Sequence, residues 1–307
     1  MCVNVSIVPC PNYEPETARR ALAAVLEPLG GLAWVEPGMK IAVKANLVAR
    51  MKPETAAATH PALVTELCRM LTERGAEVVV GDSPGGPFTA AWVGSVYTGT
   101  GMRAVEAAGA QLNSDYSTCE VSFPEGNTVK SFPYTAWLEK ADAVIDFAKL
   151  KTHAMAGMTC AVKNFFGAIP GTRKPEFHYM HPLTADFCDM LCDLAAYVKP
   201  RLTLVDAVMC MEGNGPTQGK PRHMGALLAA DTPFNADLVC AGLIGLDAKD
   251  APTVAAAIKR GLCPASEAEL NISGDPAAFA LPDFEKQPIS TDITFKKTLP
   301  LLNTFLR

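Results

Sequence analysis

One figure recurs along this chain: a short run of apolar, largely β-branched residues that ends in a cluster of polar ones. Residues 39–43 lead into Lys44-Ala45-Asn46, and Val78-Val79-Val80 into Gly81-Asp82-Ser83-Pro84-Gly85-Gly86. Residues 141–147 lead into Lys149-Leu150-Lys151-Thr152-His153, and residues 202–205 into Asp206. Runs of this length and character read as buried parallel strands. Glu14-Pro15-Glu16 opens a helix to about Glu27, stopped by Pro28 and Gly30-Gly31, and Thr59-His60-Pro61 opens another that Gly75 closes, since Pro favours the first helical turn and Gly the end. Further helices are expected over residues 101–109, 183–197, 232–242 and 247–260, and strands over 3–8, 224–230 and 270–272. Residues 119–123 and 127–132 flank Pro124-Glu125-Gly126 as a hairpin at the sheet edge.

Strand, helix, strand in this order implies right-handed crossovers and an α/β fold with mainly parallel sheets. Lys199-Pro200 interrupts the pattern. The expected organisation is therefore two α/β domains, residues 1–198 and 199–307, the second carrying a glycine-rich loop at 212–219, with a site in the cleft between them. The tail from Pro276 is expected to pack back on the body.

Composition narrows the class. Of 307 residues 49% are hydrophobic and 19% charged, the balance of a folded globular protein. A net charge of −5 with no basic tail argues against nucleic acid as a partner. The longest apolar stretch, residues 225–246, is interrupted by Asp231, Asn235 and Asp237, so no membrane span is expected. Met1-Cys2-Val3-Asn4 shows no signal-peptide pattern, and the cytoplasm is the expected location. The ten cysteines include no C-x-x-C spacing, so no iron–sulfur cluster motif is present; Cys188 and Cys192, four apart on a helix, read as buried packing in a reducing compartment.

Charge points to one segment. From Lys140 to Pro175 there are six Lys or Arg against two Asp. Lys149, Lys151, His153, Gly157 and Lys163 fall beyond the third apolar run, where ligands of open α/β sheets bind. Clustered lysines and small residues that let backbone amides approach favour an anion. His178 and His181 follow, either as metal ligands or as a surface feature at a helix end.

Taken together, Lys44-x-Asn46, Thr59-His60-Pro61, Gly81-Asp82-Ser83-Pro84, Lys149-x-Lys151-x-His153, Val162-Lys163-Asn164-x-x-Gly167, Asp206 and Glu212-Gly213-x-Gly215-Pro216-x-x-Gly219 resemble the family called domain of unknown function 362, over roughly residues 3 to 275. Members often carry a ferredoxin-like extension, and no such cysteine run stands in this sequence. A more distant resemblance is to the lactate racemases that use a nickel-pincer nucleotide. It rests on His153-x-x-Ala156-Gly157-x-Thr159-x-x-x-Lys163, Pro170-Gly171 and a later His. That resemblance implies a covalent cofactor on Lys163, proton transfer by His153, and nickel on His178 or His181. The turn at Gly81-Asp82-Ser83 lacks the family's second catalytic His, and Lys44-x-Asn46 replaces an arginine motif, so two-base racemisation is not expected.

The expected function is an enzyme on a small carboxylate or phosphate metabolite, isomerase- or racemase-like, with a nickel-pincer nucleotide or a divalent metal as the cofactor to test. His153, Lys163 and Asp82 are the expected reacting groups. Lys44, Asn46, Ser83, Lys149, Lys151, Asn164, Glu212, Gly213 and Gly215 are the expected binding groups. The alternative is a non-catalytic redox or cofactor-handling partner of an iron–sulfur protein.

Overall fold

A computed structural model describes residues 3–289. In chain order its strands are β1 (Val5–Pro9), β2 (Lys40–Ala45), β3 (Glu77–Gly81), β4 (Gln111–Leu112), β5 (Thr118–Ser122), β6 (Ser131–Thr135), β7 (Ala143–His153), β8 (Gly157–Thr159), β9 (Leu202–Glu212), β10 (Lys220–Ala230) and β11 (Ile272–Ser273). The helices are α1 (Pro15–Leu26), α2 (Pro61–Thr72), α3 (Ala90–Gly99), α4 (Ala136–Glu139), α5 (Ala161–Asn164), α6 (Lys174–Met180), α7 (Thr184–Val198), α8 (Pro233–Leu243) and α9 (Pro252–Lys259). The chain is of the α/β class, with a mainly parallel sheet.

Local chemistry explains the element ends. α1, α2, α8 and α9 each begin with proline, whose missing N–H costs nothing there. His60 caps α2 by accepting the Ala62 amide, and Thr232 caps α8 by accepting that of Asn235. α1 and α2 bury Leu22, Val25, Leu63, Leu67 and Leu71, each such side chain contributing about 1.5–3 kcal/mol. α8 packs on β9 and β10 through Leu238 and Val239.

The sheet order is β11-β1-β10-β9-β7-β2-β3-β4, with β8 folded back on β7. The run from β9 through β7 and β2 to β3 and β4 is parallel, while β10 is antiparallel to both β1 and β9. Register aligns the polar clusters: Lys44 lies opposite Asp146 and Gly81, and Lys149 opposite Asp206.

Three expectations change. The expected boundary at 198/199 falls between β7 and β9, which are hydrogen-bonded neighbours in one sheet, and β1 from the N-terminus closes the far side of β10. Lys199-Pro200 is the end of α7, where Lys199 takes a left-handed conformation, and not a linker between sheets. Second, β7 does not stop at Phe147 but carries Lys149, Lys151 and His153 within the strand, with an irregularity of pairing to β9 between the two lysines. Third, α3 was not anticipated, and residues 102–108 form a 3-10 helix. The hairpin expected at 119–132 is present as β5 and β6, a separate two-stranded sheet. The tail packs back as far as it is described: Phe284 is buried and the Glu285 carbonyl accepts the Gly213 amide.

A shared sheet predicts one cooperative unfolding transition. A fragment of residues 199–307 made alone should show no sharp thermal or denaturant transition by circular dichroism, because β9 and β10 lose β7 and β1. A cooperative transition of that fragment would contradict the single-sheet description.

Candidate functional site

The polar ends of β2, β3, β7 and β9 meet in two groups. In the first, the Lys44 ammonium pairs with Asp82 at 2.7 Å and donates to the Ala45 carbonyl at 2.9 Å and to Asn164 Oδ1 at 3.1 Å. The second Asp82 oxygen accepts the Leu47 amide at 2.8 Å. Asn164, on α5, spends its whole side chain here: Nδ2 donates to the Lys44 carbonyl and to Asp146 Oδ1, and Oδ1 also accepts from Asn46 Nδ2 at 3.2 Å. Asn46 in turn accepts Lys151 Nζ at 2.9 Å. A Cβ on Gly167 would stand 2.1 Å from Asp82 Oδ1 and 2.6 Å from Lys44 Nζ, so only glycine lets this turn approach the pair.

Burial sets the charge states of this group. Asp146 is fully buried and pushed well above the ordinary carboxylate range, mainly by loss of water, against the hydrogen bond from Asn164. Lys151 is pushed well below the ordinary lysine value by burial first, then by the charges of Lys163 and Lys149. Its contacts, Asn46 Oδ1 and the Ala57 carbonyl, use the two N–H donors that a neutral amine owns.

The second group is a clamp. Lys149 Nζ pairs with Asp206 at 2.8 Å and reaches the Tyr13 hydroxyl at 3.2 Å; Tyr13 donates to Asp206 at 3.0 Å, and the His60 amide donates to it at 2.9 Å. The Tyr13 and His60 rings stack at 3.5 Å, nearly parallel. Burial, ahead of any neighbouring charge, holds His60 down at about 4, so it is a neutral ring. Lys149 was expected to bind a ligand; its ammonium is instead engaged between Asp206 and Tyr13. Tyr13 had no signal in the sequence, because it lies before α1 and reaches the site through its hydroxyl, on Asp206 and Lys149, and its stack on His60.

A third set is open. Lys163 Nζ, 5.4 Å from the centre of the Phe166 ring, meets no hydrogen-bond acceptor or carboxylate among the described residues. Burial lowers it to about 8. Lys174 lies at the same distance from the same ring, donates to the Ser83 carbonyl, and is lowered to about 7, again mainly by burial. Ser83 Oγ is buried without a partner among the described residues. Lys174 was missed in the sequence, where Arg173-Lys174-Pro175 reads as a solvated rim.

His153 sits beside this set. Its Nδ1 accepts the amides of Met155 at 3.1 Å and Ala156 at 3.3 Å. A ring nitrogen that accepts two backbone protons holds none of its own, so Nε2 carries the proton of the neutral ring. Burial, then the charges of Lys163, Lys151 and His178, push its basicity well down. His153 is thus a hydrogen-bond donor, where the sequence suggested a group that takes up and releases protons.

The remaining expected residues lie elsewhere. Glu212 accepts the Glu285 amide and faces Arg222 at 4.0 Å, outside the lysine cluster. Gly213 and Gly215 form a tight turn against Thr152: its hydroxyl donates to the Gly213 carbonyl at 2.8 Å, and a Cβ on Gly215 would stand 2.1 Å from the Thr152 carbonyl. His178 stacks on Phe187 at 4.6 Å, with its Nδ1 buried, and is lowered to about 3 by burial, then by Lys163 and Lys174. His181 lies against Phe177. Among the described residues no three His, Cys, Asp or Glu are grouped to hold a metal ion.

Residues 41–242 match the family described as Domain of unknown function (DUF362). The chain belongs to that family. It is 32% identical over 310 residues to the protein named Thylakoid-associated protein sll1697 from Synechocystis sp., a match covering 99% of this chain and 94% of that one. Among solved structures, the lactate racemase apoprotein from Thermoanaerobacterium thermosaccharolyticum is similar with a TM-score of 0.45 and 12% identity, over 75% of this chain and 54% of that one. A Thermotoga maritima protein from a structural genomics programme is similar with a TM-score of 0.41 and 15% identity, over 69% and 54%. No helix among the described residues of this DUF362 protein is long and apolar enough to cross a membrane.

Two lysines should therefore behave oppositely. Lys149→Met leaves Asp206 buried and unpaired and should cost about 3–5 kcal/mol in denaturant unfolding. Lys163→Met removes a partly buried charge without a partner and should raise the melting temperature at pH 7. The sign follows from linkage: the cost of burying Lys163 is full below pH about 8 and fades towards the unfolded value of 10.5, so the gain should shrink as pH rises. A Lys163→Met variant less stable than the parent at pH 7 would refute the assignment.

Proposed function

We propose that this DUF362 protein is an enzyme acting on a small carboxylate or phosphate metabolite, with isomerase-like proton transfer by lysine amines. The observation that carries the reading is the pair of lysines around Phe166, neither of which has a carboxylate partner among the described residues. Partly buried ammonium groups without counter-charges are costly, and an anionic ligand offsets that cost. Amines lowered to about 8 and about 7 exchange protons readily near neutrality. His153 Nε2–H would hold a substrate oxygen, as a neutral imidazole polarises a carbonyl. Asp82 would act through Lys44, and Asn46 and Lys151 through Asn164, by fixing the wall of the site.

A nickel-pincer nucleotide does not fit this arrangement. Lys163 offers an amine for attachment, but His178 would have to leave its stack on Phe187 and its edge contact with Phe166 to turn its buried Nδ1 to a metal. The turn after β3 carries Asp82, tied to Lys44, and Ser83 where a second imidazole would be needed.

Binding is the direct test. Thermal-shift and calorimetric screening of short 2-hydroxy and 2-oxo acids and of phosphate esters should find a ligand that stabilises the protein at pH 7 and loses its effect as pH rises past about 8, when Lys163 sheds its proton. Lys163→Ala should weaken that ligand about tenfold or more, the worth of one charged contact. Equal binding by the variant would contradict the reading.

A further inference from the structure

An anion needs a cation, yet the site offers two amines and only one of them is otherwise engaged. Lys174 donates to the Ser83 carbonyl and so stands fixed beside the Ser83 hydroxyl. Lys163 is anchored only through its backbone: the amides of Ala161 and Val162, two residues and one residue before it, donate to Asp237 Oδ1 at 2.7 Å and 3.3 Å. Its side chain then runs beside the Phe166 ring, and the nitrogen at its tip meets no acceptor among the described residues. A nitrogen so placed has no contact that depends on its third proton, and its lone pair is free to attack. His153 lies close enough for the charge of Lys163 to affect it, and directs its one N–H away from the amides of Met155 and Ala156.

We propose that Lys163 forms a Schiff base with the carbonyl of a small 2-oxo acid, whose carboxylate pairs with Lys174 and whose carbonyl oxygen accepts the His153 Nε2–H. The inference rests on the anion reading above and names its substrate class. The Lys163 lone pair forms the C–N bond as the carbonyl π pair moves to oxygen. That oxygen takes up two protons, the one the ammonium shed to free its lone pair and one more from the attacking nitrogen, and leaves as water. Ammonium and carbonyl thus become protonated imine and water, with no oxidant or reductant. The imine withdraws electrons from the neighbouring carbon and so acidifies the protons at C3 of the acid. Burial lowers Lys163, and the charge of Lys163 in turn helps to lower Lys174. A bound carboxylate restores the proton on Lys174.

The test is reductive trapping of the full chain. Incubation with pyruvate, then sodium borohydride, then peptide mapping should give one reduced adduct, at Lys163, in a yield that rises through pH about 8. Lys174→Gln should lower the yield about tenfold at limiting pyruvate. Trapping at Lys174, labelling spread over surface lysines, or no adduct would overturn the inference. Trapping unchanged in Lys174→Gln would overturn its carboxylate contact. Pyruvate that raises the melting temperature without an adduct would overturn the imine while leaving the anion site standing, so the two readings fail separately.

Discussion

Positive charge buried in excess is the constraint around which this molecule is arranged. Lys44, Lys149, Lys151, Lys163 and Lys174 gather beyond the polar ends of the parallel strands, where among the described residues only Asp82 and Asp206 form ion pairs with any of them. Burying an ammonium costs several kcal/mol unless it is paired or gives up its proton. The structure uses both remedies. Lys44 and Lys149 are paired, Lys151 is pushed towards neutrality between two acceptors, and Lys163 and Lys174 remain as amines of lowered basicity beside Phe166.

The paired lysines make the frame that the others need. The Lys149–Asp206 clamp ties β7 to β9 and draws in Tyr13 and His60 from outside the sheet, while Lys44–Asp82 ties β2 to β3 and, through Asn164, fixes the end of α5, which carries Lys163. Gly167 and Gly171 let that segment press on the turn after β3: a Cβ on Gly171 would lie 2.2 Å from the Gly86 carbonyl. On the other side the turn at Gly213 and Gly215 closes on Thr152, and the segment around Glu285 and Gln287 lies over it. Removing a frame residue and removing an open amine are therefore different experiments, although both are lysines of one cluster.

Much of this was legible from pattern alone. Apolar runs ending in polar clusters located the strands and the edge of the sheet where Lys44, Asp82 and Asn164 meet, because period and β-branching report burial directly. What the pattern could not carry was register and side-chain reach. Lys149 and Lys151 are two apart in one strand, yet an irregularity in pairing with β9 gives them different partners, Asp206 for one and Asn46 for the other. Lys174 is invisible in a Gly- and Pro-rich stretch because its value lies in reaching back to Ser83. Glu212 was overvalued because a carboxylate in a glycine-rich loop resembles a ligand, whereas its partners are Arg222 and the Glu285 amide. The break at Lys199-Pro200 misled because a helix end and a domain linker share the same residues.

The chemistry of this site depends most on the protonation of Lys163. Titration of the lysine side-chain resonances by NMR, with Lys163 assigned through its Lys163→Arg variant, reads that property without any ligand. A midpoint of about 8 is expected; a midpoint at the ordinary lysine value of 10.5 would contradict a buried amine poised for chemistry near neutrality.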